Sequence, residues 1–115
     1  EIYFIFVKKI GVEKDLFKAV DYLTKACNNN HAKACYNLAI KFQNEDGVEL
    51  SPLRAAQLYE KSCDLKYPNA CYNLGVMYSE GKFFAKNNEK SKELFKKACD
   101  MKLDIACEAY RNLNK

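Results

Sequence analysis

The sequence predicts an all-α protein, a superhelical solenoid of helical hairpins with one disulfide in each repeat. Two observations lead to this prediction. The cysteines form three pairs with an internal spacing of eight, and the pairs recur every 36 residues, at Cys27/Cys35, Cys63/Cys71 and Cys99/Cys107. Apolar residues inside each repeat are three or four apart, which is the spacing of one helical stripe, whereas residues of a strand would alternate.

The same shift of 36 residues divides the whole chain into repeats. It superposes residues 34–38 on residues 70–74, both of which read ACYNL, and Ala106-Cys107 is a shortened third copy. Internal periods of this length are typical of solenoid arrays. We therefore expect one array over residues 1–115, divided into a partial repeat and three repeats at about 1–12, 13–48, 49–84 and 85–115.

Each repeat is predicted to hold two antiparallel helices, because the polar break at residues 28–30 is too short for any other connection. Ser51 offers a capping hydroxyl and Pro52 suits the first helical position, while Gly11, Gly47 and Gly81 lie where helices are expected to stop. The predicted helices are residues 1–9, 13–28, 31–44, 51–65, 68–80, 88–101 and 104–113.

The two ends of the chain need separate arguments. The run Ile2–Val7 is rich in strand formers, but a lone strand would have no partner, so we expect a helix that covers residues 13–28. At the other end, polar residues replace apolar positions of the earlier copies, which predicts a terminal cap and a true C-terminus: Glu108, Arg111, Asn112 and Asn114. The chain starts at Glu1 without a signal peptide, so we expect any export signal to have been removed.

Composition excludes several classes of protein. Apolar residues make up 49% of the 115 residues and charged residues 30%, and no run approaches the length of a membrane span. The net charge of +4 is spread along the chain, so a nucleic-acid partner is not expected. We expect a monomer without cofactor or metal. Six cysteines suit an oxidising compartment, which predicts a secreted or periplasmic protein.

The cysteine spacing favours local disulfides over two alternatives. A cysteine at the end of one helix and another one turn into the next face each other across a tight bend, and only the pairing Cys27–Cys35, Cys63–Cys71 and Cys99–Cys107 recurs in every repeat. The alternatives are a zinc site, for which the spacing is wrong and His31 is the one histidine, and buried free thiols. His31 is predicted to be a loop residue rather than the base of a Cys/His pair.

Residues 70–81 carry a family resemblance. Ala70, Tyr72, Asn73, Leu74, Gly75, Tyr78 and Gly81 resemble the pattern of the Sel1-like repeat, a relative of the tetratricopeptide repeat. With a cysteine pair in every unit, residues 11–115 look like the Helicobacter cysteine-rich proteins. Departures are Ala39 at the position of Gly75, a longer turn at 45–47, and Glu108-Ala109-Tyr110 in the third copy.

The resemblance implies an exported bacterial protein and two alternative functions. Some family members are described as penicillin-binding proteins or β-lactamases, and Ser79-Glu80-Gly81-Lys82 has the Ser-x-x-Lys spelling of those enzymes. However, Ser79 comes at the end of a predicted helix, and the chain has neither a Ser-Asp-Asn nor a Lys-Thr-Gly sequence. Ser79 and Lys82 are therefore weak catalytic candidates, and β-lactam hydrolysis is the second hypothesis.

The first hypothesis is a scaffold that binds a peptide, a protein or a peptidoglycan-like fragment in its concave groove. Resemblance to tetratricopeptide-like arrays implies that Asn37 and Asn73 face this groove, where their amides can donate to and accept from a ligand backbone. The alternative for both is a cap or an inter-repeat hydrogen bond. Tyr36 and Tyr72 are candidates for the same surface, although packing between repeats suits them better.

Overall fold

A computed structural model describes residues 17–114, and every helix in this part of the chain belongs to a hairpin array. The helices are α1 (residues 17–28), α2 (Ala32–Gln43), α3 (Pro52–Asp64), α4 (Pro68–Glu80), α5 (Asn88–Asp100) and α6 (Asp104–Leu113), with no strand among the described residues. The predicted bounds of the last five agree within one residue at each end. The prediction of a helix at 1–9 and the start of 13–28 lie outside the described residues.

Successive helices pack side by side from α2 to α6, and the molecule is elongated, with extents of 53 × 31 × 22 Å. The main cluster of buried side chains runs continuously between α2, α3, α4, α5 and α6, and includes Tyr59 and Leu74. A second, smaller cluster surrounds the disulfide at Cys27 and Cys35. This arrangement confirms the predicted all-α solenoid.

The bend inside each hairpin has the same backbone conformation in all three copies. Asn30, Lys66 and Lys102, which are 36 residues apart, adopt left-handed φ angles of 66°, 74° and 74°. In each bend the next residue donates its N–H back to the carbonyl five residues earlier, as Tyr67 does to Ser62 at 3.1 Å. The bend thereby satisfies carbonyls at the end of the first helix while reversing the chain.

This recurring bend brings the two cysteines of each hairpin together. The Cα atoms of Cys27 and Cys35 are 4.6 Å apart, those of Cys63 and Cys71 4.8 Å, and those of Cys99 and Cys107 4.6 Å, all within the range for a disulfide. Each pair is bonded and no cysteine is free, so the prediction of one disulfide per repeat is confirmed.

Side-chain caps begin three helices of the described part of the chain, with His31, Ser51 and Asn87 as the N-cap residues. Ser51 accepts the N–H of Arg54 at 3.2 Å and Pro52 follows it, as the sequence predicts. His31 is the N-cap of α2, where its Nδ1 accepts the N–H of Ala34 at 3.2 Å, so its role is more specific than that of a loop residue. Gly81 ends α4 with a left-handed φ of 63°.

Gly47 differs from its predicted role at a helix end. α2 ends earlier, with Asn44 as its C-cap, and Gly47 lies beyond it in the connection to α3 with a φ of 84°. The loop between the two helices is therefore longer than the position of the glycine suggests, because Asn44 closes the helix without a left-handed residue at the cap itself.

Two close approaches fix the distance between α4 and α5. Gly75 has no side chain, and a methyl group there would lie 2.7 Å from a ring carbon of Phe95. The buried hydroxyl of Ser91 donates to the Gly75 carbonyl at 2.6 Å. Glycine at this position therefore lets the Phe95 ring lie directly against the helix backbone, and the hydrogen bond holds the two helices in register.

Candidate binding face

The second helices of the hairpins, α2, α4 and α6, share one solvent-facing stripe. A shift of 36 residues aligns these helices with one another. Within each helix, residues that are alternately four and three positions apart lie on the same side. The stripe is exposed or half-buried throughout. It consists of Lys33, Asn37 and Ile40 on α2 with the C-cap Asn44, Asn69, Asn73, Val76 and Glu80 on α4, and Ile105, Ala109 and Asn112 on α6. Since five of these side chains are asparagines, we call this stripe the amide face.

Asn73, one of the two predicted groove residues, lies in a polar cluster between helices. Its Nδ2 donates to the hydroxyl oxygens of Tyr36 and Tyr59, both at 3.4 Å. The Tyr59 hydroxyl in turn donates to Oε1 of Gln43 at 2.6 Å. Asn73 therefore links α4 to α2 and α3, which is the inter-repeat hydrogen bond weighed against a ligand contact. A ligand contact by Asn73 stays a prediction.

The two predicted tyrosines are half-buried and pack against other aromatic rings. The Tyr36 ring lies 5.8 Å from that of Tyr59 and 5.0 Å from that of Tyr67. The Tyr72 ring lies 5.5 Å from that of Phe95. These centroid distances are those of favourable tilted pairs, so both tyrosines contribute to packing between helices.

The phenol of Tyr59 has a raised pKa. Burial raises the pKa of the Tyr59 phenol above its ordinary value of 10.0, because a phenolate would lose its hydration there. The hydrogen bond from Asn73 lowers the pKa, and the neighbouring Tyr36 raises it further. The folded protein therefore favours the neutral phenol, which is also the form that donates to Gln43.

This shift predicts a specific loss of stability at alkaline pH. Because the folded-state pKa lies above the unfolded value, the contribution of Tyr59 is complete below pH 10.0 and declines as the pH rises through the folded-state pKa. The difference in unfolding free energy between the wild type and Tyr59→Phe should therefore shrink above pH 10.0. Urea unfolding at a series of alkaline pH values measures this difference.

The control is Tyr22→Phe, at a tyrosine that is 72% exposed, and its free energy of unfolding should follow that of the wild type. A parallel decline in the free energy of unfolding of all three proteins would contradict the assignment to Tyr59.

Asn37, the other predicted groove residue, lies in a different environment from Asn73. It lines an open pocket of about 370 Å³ between α1 and α2, together with Ala19, Tyr22, Leu23, Ile40 and Lys41. The Lys41 ammonium is paired with Asp46 at 3.1 Å, so the charge at this side of the pocket is neutralised. Of the four binding candidates, Asn37 is the one that this pocket includes.

The Ser79/Lys82 geometry gives no support to a serine-lysine catalytic pair. Ser79 lies in the last turn of α4, and its hydroxyl donates to the Val76 carbonyl at 2.9 Å. The Lys82 ammonium lies over the Phe83 ring, 5.4 Å from its centroid. Neither side chain hydrogen-bonds the other, and β-lactamase activity is not supported by the comparisons described below. A catalytic role for Ser79 and Lys82 therefore stays a prediction that neither this geometry nor the comparisons support.

Two features are absent from the described residues. Residues 17–114 contain no group of three or more His, Cys, Asp or Glu side chains placed to hold a metal ion. In the same part of the chain, no helix is both long enough and apolar enough to cross a lipid bilayer.

Sequence reasoning missed several residues that shape the two asparagine environments. Tyr59 and Gln43 complete the cluster around Asn73, while Tyr22 and Leu23 form a wall of the Asn37 pocket. The 36-residue shift would have indicated the difference, because it aligns Leu23 with Tyr59. The Tyr59 hydroxyl thus lies beside Asn73, whereas the aligned residue near Asn37 is Leu23, which has no hydroxyl.

The family model for the Sel1 repeat matches residues 9–31, 32–67 and 68–103, which is most of the chain. The chain belongs to the Sel1 repeat family. The resemblance predicted from residues 70–81 and from the cysteine pairs is therefore confirmed. Sel1 repeat proteins generally mediate protein interactions, and the described helices form a disulfide-bonded Sel1 scaffold that is consistent with this role.

Three solved structures are similar to this Sel1 array. The cysteine rich protein B of Helicobacter pylori is 33% identical with a TM-score of 0.75, and the match covers 78% of this chain and 68% of that one. A Sel1 repeat protein from Oxalobacter formigenes, 24% identical over 81% of this chain and 70% of that one, shares the fold with a TM-score of 0.75. None of the curated proteins matches the sequence.

The third similar structure is c5321, described as a protective antigen of uropathogenic Escherichia coli strains with an SLR fold. It is 31% identical with a TM-score of 0.75, and the match covers 81% of this chain but 20% of that protein. The chain thus spans about a fifth of c5321. The three disulfides, together with the likeness to cysteine rich protein B, suggest an extracytoplasmic location.

Proposed function

We propose that this Sel1 array is a secreted or periplasmic bacterial scaffold that binds a peptide or a cell-wall fragment along the amide face. The observation that carries the proposal is the chemistry of that face, where five asparagines lie among apolar residues on the second helices of three successive hairpins. An asparagine amide both donates and accepts, so it pairs with the backbone of an extended peptide or with the acetamido groups of a glycan.

The structure of the array supports an extended ligand rather than a compact one. Asn37 on α2 and Asn73 on α4 occupy equivalent positions, so one ligand can make the same amide contact at two successive hairpins, whereas α6 has Ala109 at this position. Ile40, Val76 and Ile105 supply apolar area between the amides. The charged residues of this face are one cation, Lys33, and one anion, Glu80, so the face has no net charge.

The disulfides support the proposed location. Each hairpin is closed by a bond that persists in an oxidising compartment and is reduced in the cytosol. A scaffold whose core lies between thin layers of helices gains more from such bonds than a large globular domain does. An interaction module outside the cytoplasm has both the oxidising conditions and access to cell-wall fragments.

Replacing Asn37 with alanine should weaken ligand binding about five- to tenfold without changing thermal stability. The Asn37 side chain lines a pocket and, within residues 17–114, makes no hydrogen bond between repeats like those of Asn73. Binding is measured on a peptide array and on purified peptidoglycan fragments, followed by calorimetry on the strongest hit. Gln57→Ala is the matched control, because Gln57 is an exposed amide on α3 and lies outside the amide face.

The outcome also separates this proposal from a purely structural role. Equal affinities for the wild type, Asn37→Ala and Gln57→Ala would contradict binding at the amide face. Asn73→Ala is less informative, since it removes the hydrogen bonds to Tyr36 and Tyr59 and should lower stability as well as any binding.

A further inference from the structure

The two connections between hairpins carry opposite charges at equivalent positions. Residues 45–51 join α2 to α3 and contain three acidic residues and no basic one, and we call this segment the acidic loop. Residues 81–87 join α4 to α5 and contain two lysines and no acidic residue, and we call this segment the basic loop. The 36-residue shift aligns the two loops and places Asp46 on Lys82. Neighbouring repeats therefore present charges of opposite sign at the same place.

Both loops lie at the edge of the array opposite the disulfide bends. Consecutive helices are antiparallel, so bends and loops alternate between the two ends of the helices. Each loop is closed by the same hydrogen bond. The Ser51 N–H donates to the Phe42 carbonyl at 3.1 Å, and the Asn87 N–H donates to the Tyr78 carbonyl at 2.9 Å. The two loops are thus equivalent parts of one edge, displaced from each other along the array.

Most of the charged side chains in these loops are exposed and form no ion pair with another residue of the described part of the chain: Glu45, Glu49, Lys82 and Lys86. The remaining one, Asp46, is paired with Lys41 at 3.1 Å. The Lys82 ammonium lies over the Phe83 ring, 5.4 Å from its centroid. The edge therefore presents a negative and a positive region that are separate from each other.

Exposed apolar side chains accompany these charges. Leu50 in the acidic loop is 45% exposed, Leu53 in the first turn of α3 is 61% exposed, and Phe83 in the basic loop is 40% exposed. Half of the six large apolar side chains that are exposed within residues 17–114 thus lie at this edge. Apolar area with charges around it is typical of a surface that binds another protein.

The distribution of charge selects one arrangement of two copies. A two-fold axis brings the same surface of both copies together. If the axis runs along the array, each loop meets its own copy, and like charges face each other. If the axis is perpendicular to both the array and the helices, the acidic loop of each copy meets the basic loop of the other. Opposite charges then face each other twice, and the apolar side chains of the two loops, Leu50 and Phe83, lie on the same contact surface.

We infer that this edge is the interface of an antiparallel homodimer, in which the acidic loop of each copy pairs with the basic loop of the other. Because only loops and helix ends contribute area, the dimer belongs to the weak, reversible class of interfaces. The same two-fold axis leaves both amide faces on one side of the dimer. This assembly replaces the monomer expected from the sequence, and it does not depend on what the amide face binds.

Sedimentation velocity of the full chain at increasing protein concentration measures this association without any ligand. The wild type should shift from monomer to dimer and no further, since a two-fold interface closes on itself. Raising the ionic strength from about 0.1 M to about 1 M should raise the dissociation constant severalfold, because salt screens exposed charges.

Two charge-reversed variants test which loops meet. One carries Lys82→Glu and Lys86→Glu, and the other carries Glu45→Lys and Glu49→Lys. Each variant should raise the dissociation constant of the dimer at least about tenfold, because like charges then face each other in both symmetry-related contacts. An equimolar mixture of the two variants should dimerise again, because every contact between them joins opposite charges. All four side chains are exposed, so the substitutions leave the core intact.

The matched control combines Lys66→Glu with Lys102→Glu, which makes the same change of charge at the opposite edge and should dimerise like the wild type. A wild type that stays monomeric, a mixture of variants that stays monomeric, or growth beyond a dimer would overturn the inference. Charge-reversed variants that lose thermal stability but sediment like the wild type would show that the loops attract each other within one molecule, and this result would overturn it as well.

Discussion

Replacing both Cys63 and Cys71 with alanine is expected to lower the free energy of unfolding by about 3 to 5 kcal/mol. Their disulfide closes a short loop, and loop-closure entropy in the unfolded chain accounts for about 2 to 3 kcal/mol of this effect. The remainder comes from packing, because the two residues are 1% and 0% exposed in the main core. Urea unfolding followed by circular dichroism measures the loss.

A matched control uses the Cys99–Cys107 disulfide. Its sequence separation is the same as that of Cys63–Cys71, so the loop-closure term is equal, but both of its cysteines are half-buried. Replacing Cys99 and Cys107 with alanine should therefore cost about 1 kcal/mol less. Equal losses for the two pairs would show that burial contributes nothing, and a loss below about 1 kcal/mol for Cys63 and Cys71 would contradict a stabilising role.

Tyr59→Ala is expected to cost about 3 to 5 kcal/mol of stability, since it removes the largest fully buried side chain from the core. The ring lies 5.8 Å from that of Tyr36, and its hydroxyl connects Gln43 and Asn73. Its loss leaves a cavity where α2, α3 and α4 meet. Thermal and urea unfolding both report the change.

Tyr59→Phe separates the contribution of the ring from that of the hydroxyl. The ring stays in place while Gln43 and Asn73 lose a partner, so the expected loss is about 1 to 2 kcal/mol. If the phenylalanine variant were as unstable as the alanine variant, the hydrogen bonds rather than the ring would dominate the stability of this cluster. If it were as stable as the wild type, water would have replaced the lost partners.

Much of the fold follows from local features that the sequence shows directly. The 36-residue period, the helical stripes and the short bends predict the helices of the described region, and the recurrence of the cysteine pairs predicts their bonding. Ser51 and Pro52 mark a helix start by themselves, because a cap needs residues only three positions away. Gly47 does not mark the end of a helix, because α2 already ends at its C-cap Asn44.

The candidate site was predicted less completely, because its contacts join distant parts of the chain. The Ser79-x-x-Lys82 spelling does not bring its two side chains together, since Ser79 bonds its own helix and Lys82 lies over Phe83. The residues next to Tyr59 in the sequence do not indicate that its hydroxyl connects three helices. Its hydroxyl meets Gln43 from 16 positions earlier and Asn73 from 14 positions later.

The sequence by itself determined the architecture of this protein: a Sel1 array of α-helical hairpins with a disulfide across every bend. Only the tertiary structure decided that Asn37 and Asn73, in identical pentapeptides, have different surroundings. The physical reason is the separation along the sequence of the residues that interact. Helices, caps and bends depend on residues a few positions apart, whereas the partner of an amide is set by side chains that packing brings in from other helices.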